Sequence, residues 1–296
     1  MTYPAKINMT LNYLQTKSTL RLLFYLVIAG SQIFRCYAQD LYDPEHSQKY
    51  AEYLFSSQQH ELAAEEYERL VFFDNRNTGF KLNLIKSYRL SGNLSSGIRR
   101  IYSFYGHSPD SMPRLLAAEY LKMQLLSDSL PLVKIFLNGN TRLSPGNIAI
   151  FQSCNMLLTG EYPQARIFVN KTAESNPAFP GDIIKLADKA SNMKLKSPIL
   201  AAGFSAIIPG TGKFYTRNWS DGILSLLFVA GNAWQAYRGF NEHGIKSGYG
   251  WAFASLSASF YIGNIFGSAK AASRYNKNRK NEIDNQVFEI VRSDRF

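Results

Sequence analysis

The chain has 296 residues, 46 % of them hydrophobic and 19 % charged, and a formal net charge of +11. That length holds more than one core, and the apolar share excludes a disordered polyelectrolyte. Two cysteines exclude a disulfide framework, and His46, His60, His107 and His243 are too scattered for metal-ligand spacing.

Residues 1–21 carry Lys6, Lys17 and Arg21 with no acid, and residues 22–34 form an apolar run of signal-peptide length. Ala38, followed by Gln39 and Asp40, sets the cleavage position, so residues 1–38 read as a signal peptide; an uncleaved anchor is the competing reading. Cys36 falls inside that leader and Cys154 is left as a lone thiol, read as a small buried apolar residue.

From residue 39 to residue 194 short helical patterns recur at intervals of about 34 residues. The first unit, AEYLFSSQQHELAAEEYERLVFFDNRN, has Ala51 in its first helix, Ala63 and Tyr67 in its second, and Asn75 after it. Later units repeat the pattern at Ile85, Gly97, Ile101 and Pro109, at Val133 and Pro145, and at Ala165, Val169 and Pro177. In each, twelve residues separate the small or apolar position from the proline or its equivalent. A small residue lets paired helices approach, and proline ends the second because it has no amide donor. Turn residues stand between the helices at Ser91-Gly92-Asn93 and Thr159-Gly160-Glu161. This part resembles a tetratricopeptide repeat array, which implies an α-solenoid whose concave face binds proteins or peptides. Tyr50, Tyr53, Tyr88, Tyr102 and Tyr105 are candidates to line such a groove, with a core role as the alternative. Residues 179–193, with Ile183, Ile184, Leu186 and Ala187 at helical spacing, form a closing helix.

After Lys194 and Lys196 the composition changes, and apolar segments at 198–214, 222–237 and 249–269 follow. Tyr215, Trp219, Trp234, Tyr237, Tyr249 and Trp251 stand at the segment ends, as at a lipid–water boundary. Residues 197–269 therefore read as a membrane domain of two or three helices, and residues 270–296 as a basic C-terminal tail carrying Lys270, Arg274, Lys277, Arg279 and Lys280. Three crossings put that tail in the cytoplasm and the repeats in the periplasm; a re-entrant hairpin at Pro209 is the alternative for the first segment. Ser255, Ser259, Gly263, Gly267 and Ala271 form a small-residue ridge suited to close helix packing, within the chain or between copies. Asn232 and Asn264 call for hydrogen-bond partners inside the bundle, and Asp221 reads as a helix cap.

Pro209, Gly210, Gly212, Tyr215, Asp221 and Gly222 are read as a structural turn. Gly210-Thr211-Gly212-Lys213 does not make a phosphate loop, because Ile207 and Phe214 occupy positions that need glycine and a hydroxyl. IIPGTGKFYTRNWSDGILSLL with FYIGNIFGSAKAASRYN is similar to an uncharacterised bacterial membrane domain with a Pro-Gly-x-Gly-x-x-Tyr turn and a Tyr-x-Gly-Asn segment, over residues 197–277. That resemblance implies a loose association with envelope biogenesis or membrane-protein insertion.

The expected architecture is all-α, a tetratricopeptide-like α-solenoid followed by a small transmembrane helical bundle. The expected function is a scaffold or adaptor anchored in the bacterial inner membrane, binding proteins or peptides through the periplasmic array. A small transporter or an insertion accessory factor is the alternative. No catalytic residue, metal or cofactor is indicated, so an enzyme is not expected; lipid is a partner, nucleic acid is not, and a homo-oligomer is open.

Overall fold

Three helix starts in this chain are written as a capping side chain followed by proline. Asp43 accepts from the His46 amide (2.7 Å) ahead of Pro44, Ser144 from the Asn147 amide ahead of Pro145, and Ser197 from the Leu200 amide ahead of Pro198. In each case the cap satisfies an otherwise orphaned amide, and proline sits where no amide donor is needed.

The computed structural model describes residues 43–107, 111–139 and 142–293. The leader, with Cys36, and Pro109 lie outside the described residues. Among the described residues the chain is all-α. Nine helices come first: α1 (Pro44–Ser56), α2 (His60–Phe73), α3 (Thr78–Leu90), α4 (Leu94–Tyr105), α5 (Arg114–Leu126), α6 (Leu130–Gly139), α7 (Pro145–Thr159), α8 (Tyr162–Ser175) and α9 (Gly181–Ser191). Then come α10 (Pro198–Ile207), the short α11 (Thr211–Tyr215), α12 (Trp219–His243) and α13 (Gly248–Arg292).

The first nine helices stack on their chain neighbours, and α3, α5, α7 and α9 form a row in which each touches the next. A left-handed residue turns the chain within each of four helix pairs: Gln58 (φ 63°), Gly92 (81°), Asp128 (58°) and Gly160 (83°). Five positions on, Ala63, Gly97, Val133 and Ala165 are buried in the following helix. Gly97 is held to its size, since an added Cβ would come within 2.7 Å of Met123 Sδ and 3.0 Å of Tyr88 Cβ. Asn75 and Pro177 follow helix ends, but Pro145 opens α7 rather than closing α6. Phe179, Ile183, Leu186 and Ala187 are buried, so α9 closes this part of the core, with Ile184 half-buried beside them.

The sequence reading broke the chain at residue 269; the structure does not. α13 runs unbroken for 45 residues, about 67 Å, and its two ends serve different neighbours. Its first half lies against α10 and α12, while its last turns lie on α5, α7 and α9. Ile283, Val287 and Val291, one face at intervals of four, are 0–1 % exposed within the main core. Arg89, on α3, donates from Nη1 to the Arg292 carbonyl (2.8 Å) and from Nε to Glu119 (2.6 Å). Glu119 also accepts from Lys122 at 3.2 Å, and all three side chains are buried. At the surface Lys189 pairs with Glu282 at 2.7 Å. Residues 270–296 are therefore not a free tail through residue 293. A membrane cannot separate the helical stack from a segment that is part of its core, so the two share one side.

Ile283→Ala removes a fully buried side chain from this seam, and we expect a loss of about 2–5 kcal/mol. Denaturant unfolding of the full chain checks it; an unchanged midpoint would mean that α13 is not part of the core.

Candidate functional site

Two surfaces are candidates: the row α5–α7–α9, where a solenoid would take a peptide, and the unit made by α10, α11, α12 and the first half of α13. The first is already occupied. Ile283, Val287 and Val291 fill it with the chain's own helix. Of the candidate groove tyrosines, Tyr50 (50 % exposed) and Tyr53 (61 %) lie open on α1. The other three are half-buried and engaged in the stack. Tyr88 donates to Glu68 at 2.9 Å, and burial together with that carboxylate pushes its phenol up to about 12. The Tyr102 and Tyr120 hydroxyls share a 2.7 Å hydrogen bond, and Tyr105 packs at the core margin, its phenol raised by burial. Cys154 is buried and free, and burial raises its thiol to about 12, away from nucleophilic use.

In the second unit the segment 197–215 leaves and returns. α10 has only 10 residues, about 15 Å, and the chain reverses at Pro209-Gly210. The Ser197 amide then donates to the Tyr215 hydroxyl at 3.2 Å, so both ends of the segment meet. Lys196 Nζ lies 4.4 Å from the Tyr215 ring centroid. At the same level Asn276 clamps Lys196, accepting from its amide and donating to its carbonyl, each at 2.8 Å.

The turn glycines set the spacing. Gly210 has φ +92°, and an added Cβ would strike the Gly222 carbonyl. At Gly212 it would strike the Ala201 carbonyl, and at Gly222 the Phe214 ring. Asp221 is not the cap expected of it: Asn218 holds that position, and Asp221 in the first turn accepts from the Asn218 amide at 2.6 Å.

The seam of α12 and α13 is narrow. α12 buries Gly222, Val229 and Ala236, and α13 buries Gly250, Ser257 and Asn264, each at intervals of seven. Ser257 donates to the Val229 carbonyl at 3.0 Å. Ser268 shares a 2.7 Å hydrogen bond with Ser205 of α10, which accepts from the Gly212 amide at 3.0 Å. The expected ridge lies beside this seam. Ser255, Ser259 and Gly263 are exposed, Gly267 and Ala271 half-buried. An added Cβ meets nothing within 4 Å at Gly263 and only Lys213 at Gly267. Asn232 turns back to its own helix, donating to the Phe228 carbonyl at 2.6 Å. Asn264 has no hydrogen-bond partner.

What is exposed is the reverse of what is buried. Ile199, Leu200, Ile207, Leu224, Leu227, Phe228, Ile262 and Phe266 all face outward, with Ile199 at 83 % and Phe266 at 73 %. So do Trp219, Tyr249 and Trp251 near helix starts, and Trp234 and Tyr237 in the second half of α12. Among the described residues, no helix is long and apolar enough to cross a membrane, and no group of acids, histidines and cysteines is arranged to hold a metal. No protein-family model, curated protein or solved structure matches the chain.

Gly212→Ala places a methyl group against fixed backbone, and we expect it to cost about 1–3 kcal/mol. Gly263→Ala, facing open space, should stay within about 0.5 kcal/mol. Thermal unfolding of the full chain compares them; equal losses would show that the exposed ridge is itself packed against another helix.

Proposed function

We propose that this chain is a membrane-seated adaptor of the bacterial cell envelope: a tetratricopeptide-like helical stack that binds a protein or peptide, held at the inner membrane by the unit α10–α13. The observation that carries the reading is the inverted polarity of that unit. Its buried positions on α12 and the first half of α13 are glycine, serine, alanine and asparagine with one valine, Val229, while isoleucine, leucine and phenylalanine face out. In water the opposite arrangement is favoured, and small residues at helix seams are how helices pack in lipid. The inward serines and glycines lower the average hydropathy of these helices, although lipid would meet only the outward side chains.

In this reading residues 198–215 form a re-entrant hairpin, and α12 and the first half of α13 cross. α12 has 25 residues, about 37 Å, against a hydrocarbon core of about 30 Å. Two crossings return the chain to the side it left, as the docking of residues 282–292 on the stack requires. The leader assigns that side to the periplasm, since long exported domains translocate regardless of their charge. Lys194, Lys196, Arg217 and the basic residues of 270–280 then collect at one membrane surface, and only residues 244–247 reach the cytoplasm. Because α13 occupies α5, α7 and α9, the surface left for a partner is α1–α4, where Tyr50, Tyr53, Phe72 and Phe73 are exposed.

Membrane fractionation with labelling of single cysteines tests this. Ile245→Cys should be shielded from an impermeant thiol reagent added outside and Ser293→Cys should react, with the protein resisting alkaline extraction. Labelling of both from one side, or release into the soluble fraction, would overturn the membrane reading. Photo-crosslinkers at Tyr53 and Phe72 should capture a defined protein; capture only by a crosslinker at Ile167, on α8, would place the partner elsewhere.

A further inference from the structure

One set of polar groups between α11, α12 and α13 is only partly paired. Lys213 donates from Nζ to Ser225 Oγ at 2.7 Å. An ammonium has three N–H donors, so two remain, and no carboxylate among the described residues pairs with it. Asn264, 4 % exposed, lies across from it with neither Nδ2 nor Oδ1 hydrogen-bonded. Both residues line a niche of about 190 Å³ together with Ser225, Ser259, Phe228 and Phe260. Gly263 forms the remaining wall, where an added Cβ would meet nothing within 4 Å, so the niche is open there. The Phe228 and Phe260 rings stack at 5.3 Å beside it.

A buried amide without partners is costly, and a half-buried cation beside it with no counter-charge leaves that corner of the niche electropositive. One oxyanion answers the unused donors of both residues, accepting from the Lys213 ammonium and, after a turn of its side chain, from Asn264 Nδ2. An acid supplied by the protein would have served, but the lining holds one cation and no carboxylate. Ser225 lies six residues into α12, roughly 9 Å along the helix from Trp219, so the niche belongs to the end of the unit that Trp219 marks. A phospholipid lying along the helices presents its phosphate toward that end.

We propose that the Lys213–Asn264 niche binds a phosphate oxyanion, with a phospholipid headgroup as the source and Phe228 and Phe260 against its chains. The lipid source rests on the membrane reading above; the anion chemistry does not.

The test uses the full chain in uncharged detergent, following the thermal unfolding midpoint while adding dioctanoyl phosphatidylglycerol, dioctanoylglycerol or inorganic phosphate. Phosphatidylglycerol should raise the midpoint in a saturable way, and dioctanoylglycerol, with the same chains and no phosphate, should not. Lys213→Met should weaken the apparent affinity roughly tenfold or more. Gly263→Leu should abolish the shift by filling the niche; its side chain enters open space, so it carries the test if Lys213→Met fails to fold. A rise with inorganic phosphate alone keeps the site and assigns it to a free anion. No phosphate-dependent shift, or equal shifts in both variants, overturns the proposal. A chain that stays in the membrane fraction without any such shift loses only this inference. One that is soluble yet stabilised by phosphate loses the membrane reading and keeps the niche.

Discussion

The architecture depends on a single helix belonging to two environments. α13 gives small and polar residues to a seam with α10 and α12, then Ile283, Val287 and Val291 to the core of the stack. Nothing at the junction is loose: Asn276 grips Lys196 through both amide atoms, and Arg89 seats the last helical carbonyl. Burying Arg89, Glu119 and Lys122 together is expensive unless geometry is good, and here Glu119 accepts from both cations. Such a set favours one seating of α13 over neighbouring registers, because a slide of one turn would strip Arg89 of the Arg292 carbonyl.

This coupling changes what the helical stack is free to do. A peptide-binding solenoid keeps its inner row open, whereas here α5, α7 and α9 receive the chain's own helix. The stack and the apolar unit are therefore joined by a continuous helix rather than by a linker. Binding, in this account, is left to the amino-terminal helices, farthest along the chain from that attachment.

Much of the fold was legible in the residues. Turn glycines such as Gly92 and Gly160 mark helix boundaries by local chemistry alone, whereas the repeat spacing made Pro145 a helix end and hid the Ser144-Pro145 start. The turn around Gly210 and Gly212 was legible for the same reason. The extent of α13 was not, since the onset of charge after residue 269 looks like an exit from structure. The apolar face Ile283-Val287-Val291 was present at helical spacing, but only the tertiary surface it meets gives it meaning. The small-residue ridge lies outside the intrachain seam on geometric grounds. Steps of four residues turn the helix by about 40° each, so Ser255 and Ala271 lie on different faces, while steps of seven keep Gly250, Ser257 and Asn264 together. Pairing of Arg89 with Glu119, thirty positions away, has no sequence signature at all. For the same reason the unpartnered state of Asn264 shows only in the structure.

The most direct test of the continuous helix is zero-length carbodiimide crosslinking in intact membranes. Lys189 and Glu282 lie 2.7 Å apart, close enough for an amide to form between them without a spacer. The account predicts a crosslinked peptide joining residues 189 and 282, absent from Glu282→Gln. Absence of that peptide from the unmodified protein, with residue 282 open to reagent from the side opposite the stack, would contradict it.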